Sequence, residues 1–244
     1  MSSLAFFGDW RGLLGFRAPY GAVHTGRKST RTNWPALIAL AIAGLLAASL
    51  PARAEPLRLV AFGDSLTAGL GLPADQAFPA KLQAALKARG HDVLIENAGV
   101  SGDTTSAGLA RLDWSVPQGT DGVILELGAN DALRGLDPAI TEKALDSLLG
   151  RLKGRDIPVL LAGMLAPPNL GPAYGRQFNA IYGHLAEKYQ VPLYPFFLDG
   201  VAGQPGMNQP DGLHPTSAGV DVIVGKMLPA VEAFVEKIKA GKTG

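Results

Sequence analysis

Five short apolar runs recur along the chain, and helical periodicity fills most of the gaps between them. This alternation restricts the fold more than any other feature. The runs are Leu57–Phe62, Val93–Glu96, Gly122–Leu127, Pro158–Met164 and Pro192–Phe197. Each has strand length and is nearly continuous in apolar residues, as strands buried on both faces are. Between them, Phe78, Leu82, Ala85 and Leu86 recur at helical spacing, and Gly90 after Lys87-Ala88-Arg89 is a stop signal. A short polar helix is expected around Thr104–Leu112. Asp137-Pro138 reads as cap and first residue of a helix whose buried stripe is Ile140, Ala144, Leu148 and Leu152, ending at Gly154. Ala166–Gly171 reads as a Pro/Gly loop, and Tyr174, Phe178, Ile181, Tyr182, Leu185 and Tyr189 mark the next helix. Asp199–Leu213 is a long Gly/Pro/Asn loop, and a stripe from Val220 to Ile238 marks the last helix. The expectation is an α/β fold with a parallel sheet covered on both faces, without internal repeat or interdomain linker.

The amino-terminal quarter differs from the rest. Residues 1–54 hold six Lys/Arg and one acid, whereas residues 55–244 hold 16 bases and 20 acids. Arg27-Lys28-Ser29-Thr30-Arg31 precedes an uncharged apolar run, Ala36 to Leu50, and then Pro51-Ala52-Arg53-Ala54. A basic segment, a short apolar core and a small-x-small site compose a secretory signal peptide, cleaved after Ala54. The apolar run is shorter than the roughly twenty residues a membrane span needs. Residues 1–26 lie upstream and read as an over-long start assignment or an extended basic region. The expected organisation is therefore 1–54 as extension and signal, 55–244 as one domain, in the periplasm or secreted. The acidic body argues against a nucleic-acid surface. The chain has no cysteine, so disulfides, thiolate metal sites and Cys nucleophiles are excluded.

Sites in parallel sheets lie beyond the carboxyl ends of the strands. After the first run come Gly63-Asp64-Ser65, placing one hydroxyl at the rim of the sheet. A serine nucleophile needs a base and an oxyanion site; alternatively, Ser65 caps the helix that follows. The loop before the last helix carries Asp211-Gly212-Leu213-His214, where a tight turn brings Asp211 to one ring nitrogen and leaves the other for Ser65. The remaining histidines fit less well: His24 lies in the leader, His91 follows a helix stop and His184 lies within a helix. For an oxyanion, the Gly102 N–H after the second run and the Asn130 amide after the third are candidate donors. Gly102 also suits a tight turn, and Asn130 a cap or turn.

Gly63-Asp64-Ser65-Leu66, Gly102, Gly128-x-Asn130-Asp131 and Asp211-x-x-His214 together resemble the four blocks of the SGNH (GDSL) hydrolase family. Phe62–Leu72 and Gly99–Thr105 are similar to its bacterial arylesterase, thioesterase I and lysophospholipase branch. The resemblance covers residues 57–238. It implies a flavodoxin-like three-layer α/β/α sandwich with a five-stranded parallel sheet. It also implies a catalytic triad of Ser65, His214 and Asp211, and an oxyanion hole of Ser65 N–H, Gly102 N–H and the Asn130 side chain. The implied activity is hydrolysis of small acyl or aryl esters, thioesters or lysophospholipids through an acyl-enzyme. Carbohydrate-ester deacetylation is the alternative within the family, and a non-catalytic flavodoxin-like binding or signalling module is the alternative outside it. No G-x-S-x-G elbow, phosphate-binding loop or H-E-x-x-H spacing occurs. No cofactor or metal is expected, and the expected partner is a small-molecule ester or thioester.

Overall fold

A computed structural model describes residues 55–242, together with Gly21, Trp34, Pro35 and Ile38. The segment read as a signal peptide therefore lies outside the described residues, apart from those isolated positions. Among the described residues no helix is long and apolar enough to cross a membrane.

The elements alternate as the periodicity demands. In chain order they are β1 (Leu57–Gly63), α1 (Ser65–Ala68), α2 (Phe78–Ala88), β2 (Val93–Gly99), α3 (Thr105–Ser115) and β3 (Gly122–Glu126). There follow α4 (Ala129–Leu133), α5 (Pro138–Lys153), β4 (Val159–Ala162), α6 (Gly171–Tyr189), β5 (Leu193–Tyr194) and α7 (Ser217–Lys242). The five strands form one sheet in the order β2-β1-β3-β4-β5, and all four pairings are parallel. That order is the flavodoxin-like one, with the strand order reversing beside β1. Helix α2 packs on α7 against one face, while α3, α5 and α6 pack on one another against the other. The result is the three-layer α/β sandwich.

Burial explains why the strands are so apolar. Every residue of β3 is buried, and so is every residue of β1 except Arg58. Phe78 of α2 meets Phe197 edge-on with ring centroids 4.9 Å apart, both rings fully buried.

Several expected boundaries move. β5 shrinks from Pro192–Phe197 to Leu193–Tyr194 because prolines stand at 192 and 195, and neither has an N–H for the ladder. β4 ends at Ala162, where Gly163 turns its N–H to Tyr194 O at 2.7 Å and accepts from Phe197 N–H at 2.8 Å. β3 stops at Glu126, one residue before Leu127, while β2 continues past Glu96 to Gly99 in register with β1. The polar helix runs on to Ser115, and the loop at 166–171 contains a turn of 3₁₀ helix, Pro168–Leu170.

Ile140 is a correction: it is half exposed rather than part of the buried stripe of α5. Steps of four residues overshoot a full helical turn by about 40°, so a series from 140 to 152 drifts off one face. The buried face is Thr141, Ala144, Leu145, Leu148, Leu149 and Leu152.

Candidate active site

The turn after β1 places Ser65 at the first position of α1. Serine is not the cap of that helix. Asp64 is, and its Oδ1 accepts the Leu66 N–H at 3.0 Å. The Ser65 side chain is thereby left for other work.

The imidazole comes from the far end of the chain. Asp211 Oδ1 accepts the backbone N–H groups of Leu213 at 2.9 Å and His214 at 3.0 Å. This local turn aims Asp211 Oδ2 at His214 Nδ1, 2.6 Å away, and His214 Nε2 lies 2.9 Å from Ser65 Oγ. An ionised carboxylate can only accept, so Nδ1 carries the hydrogen and the Nε2 lone pair faces the serine hydroxyl. The donors on Asp211, first the His214 N–H and then its ring and the Leu213 N–H, hold its carboxyl down at about 2. It is ionised across the neutral range.

Ties back to the body hold the loop in place. Gln209 N–H donates to His214 O at 2.7 Å, and Gln209 Nε2 donates to Leu70 O at 2.7 Å and Pro215 O at 3.0 Å. Asn208 Nδ2 donates to Val201 O at 2.8 Å. The Gly/Pro/Asn composition thus produces a hydrogen-bonded scaffold in which a histidine is presented from a fixed loop.

Asn130 stands in α4, directly after β3, but its side chain does not cap that helix. The cap position is Gly128, and the Asn130 amide donates to Asp64 Oδ2 at 3.1 Å and to Asp103 O at 3.0 Å. It therefore links the β1, β2 and β3 ends. Gly102 lies one residue before Asp103, with φ of +87°, a conformation that glycine adopts without strain. The tight-turn reading of Gly102 holds, since Asp103 N–H closes the turn on Val100 O at 3.2 Å. Arg134 Nη2 donates to Gly102 O at 2.8 Å.

Ser65, Asn130 and His214 border one chamber of about 440 Å³, whereas Gly102 and Asp211 do not line it. Its wall is mostly apolar, with Leu133, Met164, Leu165, Pro167 and Phe196 among its lining residues. A larger cleft of about 500 Å³ opens at the amino ends of β3, β4 and β5, far from these side chains.

Several buried groups around the site have partners that the sequence does not reveal. Arg111, on the helix read only as polar, donates from Nε to Asp103 Oδ2 at 2.6 Å, from Nη1 to Ala98 O at 2.9 Å and from Nη2 to Gly63 O at 2.8 Å. Its guanidinium lies 4.2 Å from the centroid of Phe62. Asp131 accepts from Thr105 N–H, Thr105 Oγ1 and Thr141 Oγ1, joining α3, α4 and α5. Glu126 is buried at the end of β3 below the Ser65 turn. The signal for Glu126 was present: it is the one charged residue in the run Val123–Leu127. Burial pushes the Asp64 carboxyl up, to about 6, although the Leu66 N–H and the Asn130 amide pull it down.

A hydroxyl beside an imidazole, opening on an apolar chamber at the carboxyl edge of a parallel sheet, marks out a class: hydrolases that work through a serine. The family is shown by sequence. The profile of the GDSL-like lipase/acylhydrolase family matches residues 61–222, and the chain belongs to that family. The arylesterase of Vibrio mimicus is 43% identical over 159 residues, covering 65% of this chain and 80% of its own. The thioesterase 1/protease 1/lysophospholipase L1 of Escherichia coli K12 is 38% identical over 178 residues, covering 72% and 84%. The crystal structure of AlinE4, an SGNH-hydrolase family esterase, superposes with a TM-score of 0.63 at 49% identity, covering 74% of this chain and 97% of that one.

Proposed function

We propose that Ser65, His214 and Asp211 are the catalytic triad of this chain and that its substrates are small apolar acyl or aryl esters, thioesters or lysophospholipids. Family membership makes the chain an esterase enzyme. One observation carries the assignment of residues: His214 Nε2 lies 2.9 Å from Ser65 Oγ while its Nδ1 lies 2.6 Å from Asp211 Oδ2. In the first half-reaction Ser65 Oγ bonds to the substrate carbonyl carbon and its proton passes to His214 Nε2. The imidazolium, steadied by Asp211, then gives that proton to the departing alcohol or thiol. Water repeats the sequence on the acyl-enzyme and releases the acid.

The oxyanion donors of this reading are the Ser65 and Gly102 N–H groups and the Asn130 amide. Both Asn130 N–H groups have protein acceptors, Asp64 Oδ2 and Asp103 O, and in this reading the substrate oxygen competes for one of them as negative charge grows there. Such a donor favours the transition state over the ground state.

The chamber supports the substrate class. An apolar wall retains an acyl chain or an aromatic ring by burial. A sugar would require many side-chain donors and acceptors, and the wall offers few, so the deacetylase alternative is disfavoured. A length series of p-nitrophenyl esters and acyl thioesters on the protein starting at Glu55 tests the reading, together with labelling by a fluorophosphonate. Turnover that rises with chain length and then falls, with label on Ser65, is expected. Label on another serine would sink the assignment.

The domain division and location complete the proposal. We infer a signal peptide over residues 27–54, with 55–244 as the mature domain in the periplasm or outside the cell. Expression in a Gram-negative host should yield periplasmic protein beginning at Glu55, and Ala54→Leu should block processing. Recovery of Met1 or Arg27 as the first periplasmic residue contradicts this.

A further inference from the structure

Glu126 ends the central strand of the sheet and is 1% exposed. Its Oε2 accepts two hydrogen bonds from the turn that carries the nucleophile: Thr67 Oγ1 at 2.8 Å and the Asp64 N–H at 3.4 Å. Its Oε1 is buried and has no hydrogen-bond partner. A buried strand end is an expensive place for a carboxyl, and an apolar side chain there would cost less unless the oxygen is needed. Nothing in the triad chemistry uses it directly.

The neighbourhood shows what the oxygen does. Gly63, the first residue of the Gly-Asp-Ser motif, has no room for a side chain: a Cβ there would lie 2.6 Å from Glu126 Oε2 and closer still to Thr67 Oγ1. The Glu126–Thr67 pair thus fills the space beneath the turn and needs a glycine above it. Asp64 and Thr67 flank Ser65 in sequence, and both donate to the same oxygen. Asp64 in turn caps α1 through Leu66 N–H and receives the Asn130 amide. A displacement of Glu126 Oε2 therefore passes to both sides of Ser65 and to Asn130.

We propose that Glu126 is a positioning residue for Ser65, its Oε2 holding Thr67 and the Asp64 N–H so that Ser65 Oγ meets His214. The proposal rests on the triad reading above. Burial, aided by the negative charge of Asp64, pushes this carboxyl well above the ordinary carboxylate value. The acceptor that matters to the turn is Oε2, which takes both donors. Glutamine has the same size and also offers a carbonyl oxygen, whereas leucine offers none.

The test compares Glu126→Leu, Glu126→Gln, Thr67→Val and the double variant Thr67→Val/Glu126→Leu. kcat and KM are measured on p-nitrophenyl butyrate well below each melting temperature, along with the rate of Ser65 labelling by a fluorophosphonate. Glu126→Leu should lose about 10²-fold in kcat, as misplacing a reacting group by about an ångström does, at little change in KM. Its labelling rate should fall in parallel. Glu126→Gln should recover at least about tenfold of that loss, and the double variant should be no worse than Glu126→Leu, since the pair acts as one unit. Thr67→Val alone should cost about tenfold in kcat by the same logic.

A melting temperature lowered in Glu126→Leu with kcat and labelling intact overturns the proposal, because it leaves Glu126 a purely structural role. Glutamine no better than leucine also overturns it. Should Glu126→Leu fail to fold, Thr67→Val decides, and wild-type kcat there overturns the proposal. A wild-type protein that turns over no ester and takes no label refutes the triad reading instead, so the two failures are distinguishable.

Discussion

The two ends of the candidate triad are built in opposite ways. The Ser65 turn is buried and supported from below by the sheet. The Asp211–His214 segment lies nearer the surface, with side chains 44% and 17% exposed; its own backbone N–H groups shape it, and Gln209 ties the loop to Leu70. The carboxyl groups record the difference. Burial pushes Glu126 well above the ordinary range, whereas three donors in a solvated turn pull Asp211 down to about 2. A nucleophile must not move, so tertiary packing surrounds it. An orienting carboxylate must stay charged, so it remains where water reaches it and takes its geometry from a local turn. Precision at one end comes from long-range contacts and at the other from residues two and three apart.

The largest expected effect removes the nucleophile itself. Ser65→Ala should cut kcat by about 10⁵-fold or more while circular dichroism stays unchanged, because no other hydroxyl faces His214 Nε2 among the described hydrogen bonds. Substantial remaining turnover would move the chemistry away from the buried end.

Next comes the solvated end. Asp211→Asn should lower kcat by about 10³–10⁴-fold, since an amide can hold the wrong imidazole tautomer. Its melting temperature at neutral pH should change little beside that. Full activity would show that burial of His214, rather than the turn, supplies the orientation.

Asn130 joins the two design principles, because it donates to buried Asp64 while bordering the chamber. Asn130→Ala should lose about 10²–10³ in kcat with KM little changed. Asn130→Asp should be at least as harmful, since a carboxylate repels the developing charge and faces Asp64. Near wild-type kcat in Asn130→Asp, measured below its melting temperature, would remove this residue from the oxyanion site.

The smallest effect tests the opposite pKa shifts. Asp211 ionises at about 2 in the folded chain against an ordinary value of 3.8. Its contribution to stability is therefore present above about pH 4 and lost as pH falls toward 2. Melting temperature should fall less steeply over that range in Asp211→Asn than in wild type. Asp64, raised by burial to about 6, has the opposite sign: its contribution is full below pH 4 and is lost as pH rises to about 6. An identical acid slope in Asp211→Asn would show that the turn does not hold the carboxylate as the geometry implies.

Much of the fold is legible in the sequence. Strand-length apolar runs and helix stripes predict the α/β layers, because burial on both faces makes a strand continuously apolar while burial on one face gives a helix a period of 3.6 residues. Ser65, Asp211 and His214 are legible as candidates because their motif blocks occur together, at a strand's carboxyl end and before the last helix; each residue alone reads as well as a cap or turn. Ile140 departs from the expected stripe because an i+4 series drifts around a helix. β5 is shorter than its apolar run because Pro192 and Pro195 lack the N–H that a ladder needs.

What sequence alone determined, then, was whatever depends on near neighbours: the elements, the Gly-Asp-Ser turn, and the Asp211 turn three residues from its histidine. Only the tertiary structure decided what depends on distance along the chain. It placed His214 against Ser65 across 149 residues, and it set Glu126 under Thr67 across 59. It also gave Arg111 its acceptors at Gly63, Ala98 and Asp103. Periodicity reports which face of an element is buried. It cannot report which buried polar group will meet which, because that is fixed only when the parallel strands align in register and their ends come together at one edge.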